Sequence, residues 1–436
     1  MMNSNKITYR ALAVWLVCAL FFMYEFLLRT VLGIFQQPIM DQLHLTPITF
    51  ALLSSTAYQL IYGLMQIPVG LISERFGVKR TLFIAVIICV FADVGLALSP
   101  TFGIAILFRT LMGLGSSFGF VCLLVAVYDW LPRKNIGLFI GLSQFIGTMG
   151  PMLAAGPLNM LSEKSLVCWQ GVFGCLAGVG MAIAALVLLV VDKNRGDKDK
   201  FVTLTRTASV KETLQKFIYQ KQIWYIAIFS AFVYFSLEYL SENECKEFLI
   251  NKGFSANFSA YMITIAWFGY AVGCAVLGYI SDKIHRRKTL MIASAFTALI
   301  ALTGIIYLPL NQVMTALGFI LLGIGASGQS IGFAIMAEQC KECHLAVGLG
   351  FNNAMIALFS ASISPIIGLV LVRGSSLVPL VNYQRAFFVM IILLLTAFVL
   401  ALFGIKETFC KSMREITLLR PNNSALQNSM VANLEV

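Results

Sequence analysis

Apolar runs of at least about eighteen residues recur along the whole chain, and no other feature restricts its fold as much. A run of that length crosses the ~30 Å hydrocarbon core of a bilayer as a helix. Lipid offers no hydrogen-bond partners, so each run has to satisfy its own backbone within itself. Twelve spans are read, at residues 11–35, 48–72, 80–98, 102–129, 136–161, 168–191, 223–241, 257–280, 289–309, 313–337, 346–372 and 385–405. Composition agrees, with 59% of residues apolar and 12% charged, against roughly 25% charged in soluble domains. The first run is too long for a signal-peptide core and no small-residue cleavage site closes it, so it reads as a helix that stays. The expectation is an all-α polytopic membrane protein.

The net charge of +11 does not require a nucleic-acid partner. With both termini placed in the cytoplasm, 24 of the 31 Lys/Arg fall on inner segments. Only Lys164, Lys246, Lys252, Arg373 and Arg385 fall outside, while Arg29 and Arg109 lie within spans. That asymmetry sets orientation by the positive-inside rule, and the expected location is the inner membrane of a bacterium, with both termini cytoplasmic. Most of the ten cysteines sit singly in spans, as Cys18, Cys89, Cys122 and Cys274 do. Cys340 to His344 spells C-x-x-C-H, a haem-attachment pattern, but on a short cytoplasmic loop it reads as coincidence. No metal or cofactor is expected.

The chain repeats itself. GLISERFGVKRTL, Gly70 to Leu82, returns 208 residues later as GYISDKIHRRKTL, Gly278 to Leu290. MGLGSS from Met112 returns as LGIGAS from Leu322, an offset of 210, and Trp15 returns as Trp224, an offset of 209. Constant spacing across separate spans describes a six-helix unit duplicated in parallel. The expected parts are a first bundle at 1–191, a basic linker at 192–222, a second bundle at 223–407 and a polar tail at 408–436.

Two six-span halves joined by a basic loop, with G-x-L-x-D-R-x-G-R-K after the second span, resemble the major facilitator superfamily over essentially the whole chain. The first copy of the motif carries Gly70, Glu74, Arg75, Gly77, Lys79 and Arg80, with Glu74 for the usual Asp and Val78 for the usual first Arg. The second carries Gly278, Asp282, Lys283, Arg286 and Arg287, with His285 where the second Gly would stand. Arg109, Gly113 and Gly115 match the R-x-x-x-G-x-G motif of the fourth span, and Gly147, Gly150, Pro151, Gly156 and Pro157 resemble the Gly-Pro motif of antiporters. Independently, a carboxylate at the inner end of the second helix can meet a helix N-terminus and nearby arginines, forming a latch between the halves on that side.

Charges inside spans mark function, because each costs roughly 2.5–3.5 kcal/mol unless paired or wetted. Five are read: Glu25, Arg29, Asp93, Arg109 and Glu238. Glu25 and Arg29 stand four apart on one helix face and can pair. The resemblance puts spans one, four, seven and ten around a central cavity, giving Glu25, Arg29, Arg109 and Glu238 access and leaving Asp93 as a structural partner of Arg109. The offset of 209 aligns Arg29 with Glu238, so a base and an acid would face each other across the pseudo-twofold axis. Tyr24, Tyr234, Asn352, Asn353 and Gln144 join the candidates, since buried amides and hydroxyls need partners.

These residues point to a secondary transporter that moves a small polar solute by alternating access. One base opposed by acids suits a zwitterion such as an amino acid, with a proton as the coupling ion through Glu25 or Glu238. YEFLLR, Tyr24 to Arg29, is similar to the phagosomal nutrient transporters of intracellular bacteria. Proton-coupled efflux of drugs or metabolites, organic-anion exchange and a transporter-like sensor are the alternatives. No nucleotide-binding loop or catalytic constellation is present in the sequence, so an enzyme is not expected. The lipid bilayer is the expected surrounding and a monomer the expected state.

Overall fold

A computed structural model describes residues 8–131, 136–163, 168–191, 219–339 and 345–410. Among the described residues, eleven segments are long and apolar enough to cross a membrane: Tyr9–Ile34, Pro47–Gln66, Val78–Ala97, Phe102–Val127, Trp169–Val190, Lys221–Glu242, Ala256–Ile284, Lys288–Tyr307, Gln312–Gln339, Gly348–Arg373 and Pro379–Gly404. The 28-residue helix Ile136–Glu163 fills the fifth place in chain order and completes a twelve-span, all-α architecture. Two short helices, Gln36–Leu43 and Cys245–Asn251, follow the first and seventh spans. The C-x-x-C-H stretch 340–344, the linker 192–218 and the tail 411–436 lie outside the described residues.

Local chemistry explains the helix starts. Thr8 accepts a hydrogen bond from Ala11 N, Asn311 from Met314 N, and Thr46 and Thr49 bond each other's backbone N–H groups reciprocally ahead of Pro47. The second span then passes through one π-helical turn, Leu52–Thr56, before resuming as the α-helix Ala57–Phe76. Pro68, Pro151 and Pro157 sit inside helices, which neighbouring helices tolerate in a bilayer.

The duplication reappears in the packing. Within each half the second and fourth helices of the repeat touch through glycine. A Cβ on Gly113 would collide with the backbone of Tyr58, and one on Gly323 with the backbone of Ala266. Small residues let helices approach where lipid gives no hydrophobic drive between them. Burial separates centre from rim: the apolar window of the seventh span is 83% buried, those of the tenth, first and fourth 67%, 61% and 61%, and that of the twelfth only 33%. Spans one, four, seven and ten therefore form the centre, while side chains such as Leu189 and Phe403 face outward. The halves meet where the fifth span packs on the eighth and the second on the eleventh.

The end of the bundle carrying Lys79, Arg80 and Arg287 is called here the basic end; the opposite end carries Arg29 and Glu238. At the basic end the two motif copies turn differently. Gly77 has φ 79° and ψ 153°, a conformation open essentially to glycine alone, whereas His285 has φ 51° and ψ 39°, the left-handed helical well.

Candidate functional site

Near the opposite end, Arg29 crosses from the first half into the second. Its Nε donates to Glu242 Oε1 at 2.6 Å, and its guanidinium also contacts Glu238. Gln59 of the second span donates to Glu238 Oε1 at 3.1 Å and to Glu242 Oε1 at 3.2 Å. Ser55, on the π turn, donates to Glu242 Oε2 at 2.9 Å, and Asn243 bonds both Ser55 and Ser54. One base and two acids, none more than 6% exposed, are thus enclosed by donors from the first half. A buried cluster of this kind is strongly destabilised when one partner is removed.

The other candidates separate into distinct roles. Glu25 does not pair with Arg29, contrary to the expectation from their spacing; it is fully buried and accepts from the Tyr58 hydroxyl at 3.1 Å. The reason is competition, because the acids of the seventh span reach Arg29 from the other half. Nor does Asp93 bond Arg109. Asp93 accepts from Tyr24 at 2.5 Å, while Arg109 donates to the carbonyls of Leu28, Arg29 and Ser54 at 2.7–2.8 Å and lies 4.6 Å from the Tyr58 ring centroid. Arg109 grips the backbone beside Arg29 instead of contributing a free charge.

On the basic side of Arg29 lies an open cavity with about 480 Å³ of atom-free space, counting what communicates with solvent. Arg29, Tyr234, Gln144 and Asn353 line it, together with Tyr62, Tyr270, Gln329 and several phenylalanines. Tyr270 donates to Gln329 at 2.7 Å, and Asn353 donates to Gln66 at 2.9 Å across the halves. Asn352 is not on the cavity wall; it is fully buried, and neither side-chain polar atom has a partner among the described residues. The surface combines a single guanidinium, amides, tyrosine hydroxyls and aromatic walls, which suits a small polar solute better than a lipid.

A family model described as the Major Facilitator Superfamily matches residues 14–243 and 246–409. The chain belongs to the Major Facilitator Superfamily. Among curated superfamily relatives, the hexuronate transporter of Bacillus subtilis (strain 168) is 23% identical over 60% of this chain and 62% of its own length. The probable 4-methylmuconolactone transporter of Cupriavidus pinatubonensis is 25% identical over 63% of each. The phosphoglycerate transporter protein of Salmonella typhimurium is 23% identical over 60% of each. The chain thus spans a little under two thirds of the length of these relatives, which are transporters and not enzymes. Two solved superfamily structures share the fold. The D-xylose–proton symporter superposes with a TM-score of 0.75 at 16% identity, covering 92% of this chain and 99% of its own. A bacterial homologue of the human lysosomal transporter Spinster, inward-facing and unoccupied, superposes with 0.74 at 18%, covering 90% and 96%.

Among the described side chains, the polar contacts of the superfamily motif at the basic end stay within one half. Lys79 donates to Leu188 O at 2.6 Å within the first half. In the second half Arg287 bridges Asp282 at 2.7 Å and Glu338 at 2.9 Å. Burial opposes its charge, but the hydrogen bonds and charge of Glu338, with Asp282, more than compensate and raise its pKa. The Glu407 carboxylate receives the backbone N–H groups of Arg287 and Lys288 at 2.9 and 3.0 Å. Gly70 and Gly278 have open space where a Cβ would stand, and Lys283 and Arg286 are exposed. The side chains of Glu74 and Arg75 lie outside the described residues. A latch of this type closes only when the basic ends approach, and the described ion pairs between the halves lie at the opposite end.

Sequence reasoning missed Glu242, Gln59, Ser54, Ser55 and Asn243. The seventh span read from the sequence ends at 241, one residue short of Glu242. Two signals were available: Glu242 stands four residues after Glu238, on the same helix face, and the 209 offset places it opposite Gly33.

Proposed function

We propose that this superfamily member is a secondary transporter working by alternating access, and that it takes up a small polar solute, an amino acid first, together with a proton. The observation that carries the reading is the Arg29–Glu238–Glu242 cluster, which joins the two halves at the head of the cavity. Neutralising Glu238 or Glu242 by a proton weakens its hold on Arg29, and the guanidinium becomes available to a solute carboxylate. The remaining acid can receive the solute's ammonium group. Once the cluster is dismantled, the halves can part at that end and close at the basic end, where the two motif copies then engage. Glu25 stays a second candidate for the proton, and Arg109 positions Arg29 through the backbone it grips. In this reading the basic end faces the cytoplasm of a bacterium and the inner membrane houses a monomer.

Exchange of organic anions is the second reading, favoured because the relatives are named as transporters of hexuronate, methylmuconolactone and phosphoglycerate. Purified protein in liposomes decides between them. Radiolabelled amino acids should accumulate under an imposed pH gradient, accumulation should collapse when the gradient is dissipated, and Glu238→Gln should abolish it. Uptake indifferent to the gradient overturns proton coupling. Uptake confined to hexuronates or phosphorylated acids replaces the amino-acid reading with the second.

A further inference from the structure

The polar stretch Ser241 to Cys245 is buried along its whole length, every residue 2% exposed or less. Polar chain at the mouth of a bundle is ordinarily wet, so complete burial needs a partner for each group. The partners come largely from the first half: Arg29, Gln59 and Ser55 for Glu242, and Ser54 and Ser55 for Asn243. One position further on, Lys246 donates to Asn159 of the fifth span at 2.6 Å. The stretch is a clasp that the second half inserts into the first.

Glu244 differs from Glu242 in the clasp because no ion pair with a base is found for it among the described residues. It lies beyond the seventh span, at the start of the short helix Cys245–Asn251. The Tyr383 hydroxyl of the twelfth span donates to its Oε2 at 3.2 Å, and the side-chain amide of Gln36, from the first half, faces it. The other titratable groups around it are Tyr239 on the seventh span and Glu247 on its own helix, the latter a like charge. Burial, the largest cause, pushes the Glu244 carboxyl up to about 7 against the Gln36 and Tyr383 hydrogen bonds.

We propose that Glu244 is a proton-binding residue of the clasp: it is neutral while the halves are closed over it and ionises when they part and admit water. Its ligands come from both halves, so separation at this end necessarily opens its pocket. The linkage has one sign. The closed state binds the extra proton, so closure strengthens as pH falls from about 7 toward the exposed carboxylate's 4.5 and gains nothing outside that window. From pH 7.5 to 5.5 the closed-to-open ratio should rise about 20-fold. This inference rests on the alternating-access reading but not on the identity of the solute.

The test uses the full chain in lipid nanodiscs without solute, with spin labels at His44 and Asn251, exposed positions at this end of the first and second halves. The short-distance population should grow as pH is lowered through 7. Glu244→Gln should hold the short distance at every pH, and Tyr383→Phe, which removes a donor to the ionised form, should move the midpoint upward without unfolding the protein. Two wild-type distance populations whose ratio ignores pH, or a pH response intact in Glu244→Gln, overturn the role of Glu244 alone. A distance that never changes under any condition overturns alternating access as well.

Discussion

Gly33 gives the sharpest test of how this end is sealed. It lies in the 3-10 turn Val31–Phe35 that follows the first span, and a Cβ there would stand 2.6 Å from Ser241 O and 2.8 Å from the Glu242 carbonyl carbon. Both are backbone atoms of the other half, so no side chain can swing aside to make room. Overpacking of this kind costs about 1–3 kcal/mol. The cost falls on the closed arrangement only, because parting the halves removes the contact. Gly33→Ala should therefore shift the closed-to-open ratio by about 5- to 150-fold without altering a single charge. The chain carries its own reporter: Cys245 is buried in the clasp. In a variant that keeps Cys245 as its sole cysteine, labelling by a water-soluble maleimide should accelerate in Gly33→Ala by the same factor. Gly70→Ala, at the basic end where nothing lies within 4 Å of the added carbon, should leave the rate unchanged. Equal labelling rates in wild type and Gly33→Ala, in folded protein, would refute the claim that backbone contact at Gly33 sets the closure.

Other outcomes follow from the same contacts. Arg29→Gln leaves Glu238 and Glu242 buried without a base and should lower stability by about 3–5 kcal/mol, read as a fall in thermal midpoint; adding Glu238→Gln and Glu242→Gln should recover part of the loss. At the basic end, Glu407→Gln keeps the shape but removes the charge at the N-terminus of the ninth span. It should cost about 1 kcal/mol in thermal stability and leave the labelling of Cys245 untouched.

The architecture was legible because lipid and duplication both write periodically. Apolar length announced the spans, and the 209 offset named Arg29 and Glu238 as counterparts before any contact was known; the two do meet. What failed was pairing judged from one helix at a time. Glu25 and Arg29 share a face, but the stronger partners of Arg29 arrive from another half of the chain. Asp93 and Arg109 balance in charge, but Arg109 is satisfied by three carbonyls whose positions depend on where the first and second helices break from α-geometry. The stretch Ser241 to Cys245 carries no expectation in the sequence because polarity alone does not reveal whether donors from another segment will cover it.

The π turn at Leu52–Thr56 has a consequence for the spelling of the second span. A π turn holds one residue more than the α-helix would need, so it absorbs an inserted residue while the two parts of the helix keep their faces. Deleting one residue there would keep the span long enough to cross the bilayer and would let the turn close as α-helix with the parts on either side still nearly in phase, so the loss falls on the side chains of the turn itself. Gln59 would still face the acids of the seventh span, while Ser54 and Ser55 would lose the positions on the wider turn from which they reach Asn243 and Glu242. The seal between the halves therefore depends on a count of residues as much as on their identity, and aligned chains lacking that one residue should close this end with a different set of side chains.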